Sequence, residues 1–293
     1  MEIQKLKKKL LMEELRHRRK RSRSRRWLLI GIALLLGAAV AGGGYYLYNL
    51  EAILEGDFAR AEQLLEQGNH EEAERLFEKL YRHHPDFYLA ERALFQSGEI
   101  RNLYLKKYHE ALLAYLLVEK DYPDSPLAKK SLQQVADIYK HRLRDYPRAI
   151  IAYQKLLDNG VEAGDQVQYE VADSYFRLNN FEQARIEFES LLKSYPESGL
   201  SAEAQYRVAV ATSLEGDLKK AAEAFRLVNE KWPDSSYAVE ARFGLAGVLE
   251  EREELKASLE ILQGLRGVYP SPEVLEKRIT QVEERIKKKQ KAI

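Results

Sequence analysis

Six histidines, 46 acidic residues and no cysteine are what this chain offers for chemistry. His17, His70, His83, His84, His109 and His141 form no H-E-x-x-H pair, and no glycine-rich phosphate loop occurs. His83-His84 precedes Pro85 at an expected helix end, a solvated position rather than a metal site. The loop Asp158-Asn159-Gly160-Val161-Glu162-Ala163-Gly164-Asp165 is acidic and holds two glycines, but its spacing does not fit a calcium loop. Gly42-Gly43-Gly44 falls inside an apolar stretch, where close helix packing is its natural use. Without cysteine, the chain has no disulfide, thiolate metal site, thiol nucleophile or lipid-modified N-terminal cysteine. At 32% charged residues, neighbouring Asp and Glu mark solvated faces. No catalytic residue, metal or cofactor is expected, and the chain reads as a non-enzyme.

The elements around these residues fall into three zones. Residues 1–26 carry twelve Lys or Arg against three Glu, a net of +9, whereas from residue 27 onward 35 basic face 43 acidic residues, a net of −8. No charge appears between Arg26 and Glu51. The run Trp27 to Tyr48 is long enough, at about 1.5 Å per residue, to cross the hydrocarbon core of a bilayer. Trp27 at one end and Tyr45, Tyr46 and Tyr48 at the other suit the two interfaces. The basic tail 1–26 then stays in the cytoplasm, in contact with anionic lipid, and residues 27–49 form a signal anchor. That tail is read as a topology and lipid element; a nucleic-acid partner is not expected. Ala39-Val40-Ala41 is an A-x-A pattern, so a cut before Gly42 competes with the uncleaved anchor. Ser24-Arg25-Arg26-Trp27-Leu28-Leu29 also has the form of a twin-arginine signal.

Beyond the apolar run, the chain repeats itself. Ala73/Phe77, Ala111/Tyr115, Ala149/Tyr153, Ala184/Phe188, Ala221/Phe225 and Ser258/Leu262 pair a small residue with a bulky one four positions on, at intervals of 35 to 38 residues. Twelve positions after the small member stand Pro85, Pro123, Pro196, Pro233 and Pro270, with Val161 in the third repeat instead. Apolar spacing divides each repeat into two helices, and the proline ends the second. Small residues let the helices approach closely, and the bulky partner fills the space on the same face. A period of this kind means a solenoid of stacked helix pairs. The second and third repeats carry an extra residue, between Gly98 and Ala111 and between Ala136 and Ala149, so regular stacking is least secure near residue 160.

The small residue and tyrosine on the first helix (Ala172 and Tyr175), followed by Ala184, Phe188 and Pro196 on the second, resemble the tetratricopeptide repeat. The likeness covers about residues 54 to 270. It implies an all-α, right-handed helix-pair solenoid behind a single transmembrane helix: six repeats over 50–271, then a capping helix at 272–293 with a basic end. The segments Tyr122-Pro123-Asp124-Ser125, Tyr195-Pro196-Glu197-Ser198 and Trp232-Pro233-Asp234-Ser235 are similar to repeats of bacterial envelope proteins. Those are the outer-membrane barrel-assembly lipoproteins and the Tol-Pal-associated division coordinator. The serine of each segment can cap the next helix.

In tetratricopeptide solenoids the first helices line the concave face. Three residues before each small first-helix residue stand Phe58, Phe95, Gln133, Tyr169, Tyr206 and Phe243. One turn beyond these six positions come Glu62, Glu99, Asp137, Asp173, Val210 and Gly247. The candidate groove is therefore Phe58, Phe95, Tyr169, Tyr206 and Phe243 with Glu99, Asp137 and Asp173. Rings beside carboxylates suit an extended or helical peptide with basic residues. The same rings could instead pack between first helices, and the sequence leaves both roles open. The expected function is a membrane-anchored scaffold of the bacterial inner membrane, its repeats in the periplasm binding envelope proteins or peptides. The alternative is a cleaved, soluble periplasmic repeat protein acting as a chaperone or assembly factor.

Overall fold

The computed structural model describes residues 2–291; the side chains of Trp27 and of the basic residues from Arg16 to Arg26 lie outside the described residues. The described chain is helical, with no strand, and is divided into a compact unit ending at Ala90 and another beginning at Glu91.

In the first unit, α1 (Glu2–Glu66) runs without a break from the basic tail through the apolar stretch into the first repeat. Residues Gly31–Glu66 contain a stretch long and apolar enough to cross a membrane, and none of it is buried, features that a signal sequence shares. Lys5, Lys7, Lys8 and Lys9 are exposed. Toward the end of α1, Leu54, Phe58 and Ala61 become buried, as do Ala73, Phe77 and Leu80 of α2 (His70–His83), which packs against it. The last turns of one helix thus serve as the first helix of a repeat.

The second unit is a succession of helix pairs. They are α3 (Ala90–Leu103) with α4 (Tyr108–Asp121), and α5 (Pro126–Asp137), extended by a π-helical turn at Ile138–Leu143, with α6 (Tyr146–Asp158). Then come α7 (Gly164–Arg177) with α8 (Phe181–Ser194), α9 (Ser201–Leu214) with α10 (Leu218–Lys231), α11 (Ser236–Glu251) with α12 (Leu255–Gln263), and a closing α13 (Pro272–Lys291). From α4 onward each helix packs on its chain neighbours, and α3 meets α4 through Phe95 on Tyr115. The fold is a tetratricopeptide-type helix-repeat solenoid.

The small-to-bulky ladder is the core of this architecture. All six small residues are fully buried, and of their partners Phe77, Tyr115, Phe188 and Leu262 are equally inaccessible. At Gly98 even a methyl group would meet the Tyr115 ring at 2.9 Å, which explains a glycine where other first helices carry alanine. Ala184 lies among Ala172, Phe188, Ala204 and Val208. Ala184→Leu should overpack this contact and cost roughly 1–3 kcal/mol, read as a fall in melting temperature. An unchanged melting temperature would mean that the close approach at Ala184 is not what holds the pair.

Each pair turns on a residue in the left-handed conformation, five positions before the small residue: Gly68, Lys106, Arg144, Asn179, Gly216 and Glu253. In a regular repeat the next N–H reaches back five residues to cap the first helix, as Asn69 does to Leu64 at 2.8 Å, Asn180 to Tyr175 at 3.0 Å and Glu254 to Leu249 at 2.8 Å. In the two long repeats it reaches back six, from Lys107 to Arg101 and from Asp145 to Tyr139, both at 2.8 Å. The extra residue is thus absorbed at the end of the first helix; in the third repeat it winds the π-helical turn Ile138–Leu143. Asp145, Asn180 and Asp217 then cap the second helices through backbone N–H groups three residues on. Ser125 and Ser235 cap α5 and α11. Ser198 accepts from the Leu200 N–H and donates to Asp165 at 2.6 Å. α13 covers the last pair with Leu275, Ile279 and Val282, and its basic residues Arg285 and Lys289 hold Glu253 at 2.8 and 3.1 Å.

Candidate partner-binding groove

Four of the first-helix rings contact the bulky residue of their own second helix. Edge-on contacts join Phe58 to Phe77 at 5.2 Å, Phe95 to Tyr115 at 5.6 Å and Tyr169 to Phe188 at 5.4 Å, and Tyr206 tilts on Phe225 at 5.9 Å. Phe243 departs from the series and stacks on Tyr269 at 4.5 Å, under the guanidinium of Arg278. Phe58, in the first unit, is only 3% exposed and offers a ligand almost no surface. Phe95, Tyr169, Tyr206 and Phe243 are half-buried, each with part of its ring open to solvent. Most of these contacts run within a repeat, but Tyr206 also tilts on Tyr237 of the next first helix at 5.6 Å, so packing between successive first helices, one of the two roles the sequence left open, occurs there as well.

The carboxylates have structural work that the residue pattern alone did not assign. A tyrosine buried on a second helix needs an acceptor for its hydroxyl. Tyr115 donates to Glu99, and Tyr153 donates to Asp137 at 2.7 Å; both acceptors stand sixteen residues earlier. Burial and then the adjacent carboxylate push both hydroxyls far above the ordinary tyrosine value. Where the second helix carries phenylalanine, the acid has a different partner. Asp173 is 6% exposed and lies 2.7 Å from Lys140 Nζ, which also bonds Glu170. Burial opposes the charge on Asp173, but Lys140, Arg177 and Arg207 together hold its carboxyl below the ordinary value. The groove is accordingly not a row of free carboxylates: Glu99 and Asp137 accept from tyrosine hydroxyls, and Asp173 is ion-paired with Lys140 and Arg177.

Lys140, Glu170, Glu203, Arg207, Tyr237 and Arg278 complete this surface and were not singled out from sequence. Tyr169 donates to Glu203 at 2.6 Å, Arg207 lies 3.4 Å from the same carboxylate, and Tyr237, through burial and then Glu203, is pushed up to about 12. Arg278 reaches Glu250 at 2.8 Å. The signal that could have found some of them is a donor and an acid one repeat apart, as in Tyr169 with Glu203, Ser125 with Glu91 and Ser198 with Asp165.

Two recesses in the second unit border these helices. One, of about 690 Å³ between α8, α9 and α10, is ringed by charges such as Arg185, paired with Glu215 at 2.9 Å and Glu189 at 3.2 Å. The other, of about 500 Å³, opens where α5, α6 and α7 meet the loop after α6. Among the described residues no group of three or more His, Asp or Glu is placed to hold a metal.

Residues 58–126 and 169–236 match the profile of the tetratricopeptide repeat family, leaving out the irregular third repeat between them. A tetratricopeptide repeat protein from Parabacteroides merdae superposes with a TM-score of 0.50 at 18% identity, over 79% of this chain and 87% of its own. YrrB, described as a TPR protein with an unusual peptide-binding site, gives 0.50 at 16% identity over 69% of this chain and 96% of its own. The Naa15/Naa10 complex bound to HypK-THB gives 0.51 at 16% identity, over 83% of this chain but 35% of that one. At these identities the likeness concerns the fold. No curated protein sequence gives a significant match.

Proposed function

We propose that this tetratricopeptide-repeat protein is a membrane-anchored scaffold of the bacterial cell envelope, docking protein or peptide partners along its first-helix face. The observation that carries the reading is the row of half-buried rings, Phe95, Tyr169, Tyr206 and Phe243, set among carboxylates that already have partners: Asp173, Glu203 and Glu250 in ion pairs and Glu99 on the Tyr115 hydroxyl. Such a surface keeps apolar rungs open for contact and loses little to the desolvation of free charge. In this reading 1–26 is the cytoplasmic tail, 27–49 the anchor, 50–271 the repeats and 272–293 the cap. Confinement at the inner membrane raises the effective concentration of the groove for periplasmic partners. A cut after Ala41 would leave the same groove on a soluble periplasmic chain, and a mature N-terminus at Gly42 is the signature of that second reading.

The opposite, second-helix face provides the control, because Leu113, Ile151 and Ile186 are exposed there. A photo-crosslinker replacing Tyr206 is expected to capture discrete partners in native membranes, and one replacing Ile151 to capture few or none. Crosslinks arising only from Ile151 would transfer the docking role to the second-helix face.

A further inference from the structure

We infer that the third repeat carries a recess that receives an aromatic side chain from a partner peptide. The inference deepens the groove reading and rests on the first-helix face being the docking face. In four repeats a first-helix ring sits on the bulky residue of the second helix, at 5.2 to 5.9 Å between centroids. In the third that position is Gln133, which is exposed, and among the described residues no ring pairs with Tyr153. The gap coincides with the 500 Å³ recess, whose wall includes Gln133, Asp137, Tyr153, Leu156, Val161 and Val167.

The second repeat shows what belongs there. Tyr115 donates to Glu99 and carries Phe95 on its face; Tyr153 donates to Asp137 in the same sixteen-residue register and carries no ring. The acceptor pair is present, but side chains other than a ring cover Tyr153, which is only 1% exposed. Two departures of backbone accompany the gap: the π-helical turn directly after Asp137, and a loop after α6 that lacks the proline of the other repeats. That loop is held over the recess by Lys129, which donates to the Gly160 carbonyl at 3.1 Å.

The chemistry selects a ring over a cation. Of the three acids in the wall, Glu170 is taken by Lys140, Asp137 accepts from the Tyr153 hydroxyl, and Glu162 shares the wall with Lys129 and Lys130, which oppose an entering cation. Tyr153, Leu156 and Val167 lie buried beneath the recess, so a ring reaches them only as the exposed, unbranched Gln133 moves aside. An entering Phe, Tyr or Trp restores the edge-on contact that the chain supplies for itself elsewhere.

The test uses the full chain in detergent and water-soluble probes: N-acetyl-tyrosinamide, N-acetyl-leucinamide and N-acetyl-argininamide, followed by NMR of the Leu156, Val161 and Val167 methyl groups. The tyrosine probe is expected to shift these methyls at millimolar concentration, and the other two to do so at least about tenfold more weakly. Gln133→Phe fills the recess from within; it should raise the melting temperature and weaken the tyrosine probe by at least about tenfold. Gln133→Glu keeps the side-chain shape, adds a charge beside Asp137 and should also weaken it, so the outcome does not depend on Gln133→Phe folding. Equal affinity in wild type and both variants, or preference for the arginine probe, overturns the inference. Crosslinking from Tyr206 tests the groove independently, so a failure of the recess and a failure of the groove give different results.

Discussion

Lys140→Met is expected to destabilise the second unit by about 1–3 kcal/mol near neutral pH, because it takes the nearest cation from a buried carboxylate and leaves it Arg177 and Arg207. The lysine side chain is 5% exposed and that of Asp173 is 9%. In the wild type the Asp173 carboxyl is held below its ordinary value by Lys140 and two arginines working against burial. Its contribution to stability is therefore complete above the unfolded carboxylate value of about 4 and is lost as pH falls through the lower folded value. In the variant, burial prevails and the carboxyl takes up a proton more readily. The gap between the two proteins should then narrow on acidification from pH 7 toward pH 4. Urea midpoints across that range provide the measurement. A gap of constant size would show that Lys140 acts through packing of its stem and not through charge.

Phe188→Ala should cost about 3–5 kcal/mol, since the ring is fully buried among Ala172, Ala184, Leu191, Ala204 and Val208, neighbours too small to close the space it vacates. Tyr169→Ala removes the ring packed on its edge, but that side chain is half-buried and borders solvent, so the stability loss should be clearly smaller. Denaturant midpoints of the two variants separate a core residue from a groove residue within one edge-to-face pair. Comparable losses would mean that Tyr169 belongs to the core as fully as Phe188.

The difference between these two rings also marks how far the sequence could be read. The small-to-bulky ladder was legible because a close helix contact tolerates few side chains, and the same constraint recurs in every repeat. The caps at Ser125 and Ser235 were legible because capping is local chemistry. The turns were only half legible. Gly216 and Asn179 announce a left-handed residue, whereas Lys106, Arg144 and Glu253 adopt the same conformation because the two packed helices impose it. The charges of the groove were the least legible. Glu99 and Asp137 lie where a ligand-facing acid would lie, yet each serves a tyrosine on the partner helix. Lys140 was invisible because its inward placement depends on a π-helical turn: the extra residue can be counted in the sequence, but the face it turns inward cannot.

The unbroken course of α1 has a geometric consequence. From Tyr48, the last residue of the apolar run, to Leu54, the first buried residue of the repeats, there is no joint. The helix therefore acts as a shaft and fixes an azimuth. One residue inserted between those two positions would rotate the first repeat by about 100° about the helix axis and lift it by about 1.5 Å. Seven residues, close to two full turns, would nearly restore its heading about 10 Å farther out. Direction and distance of the first repeat from the apolar run are thus set by the number of residues in a single helix.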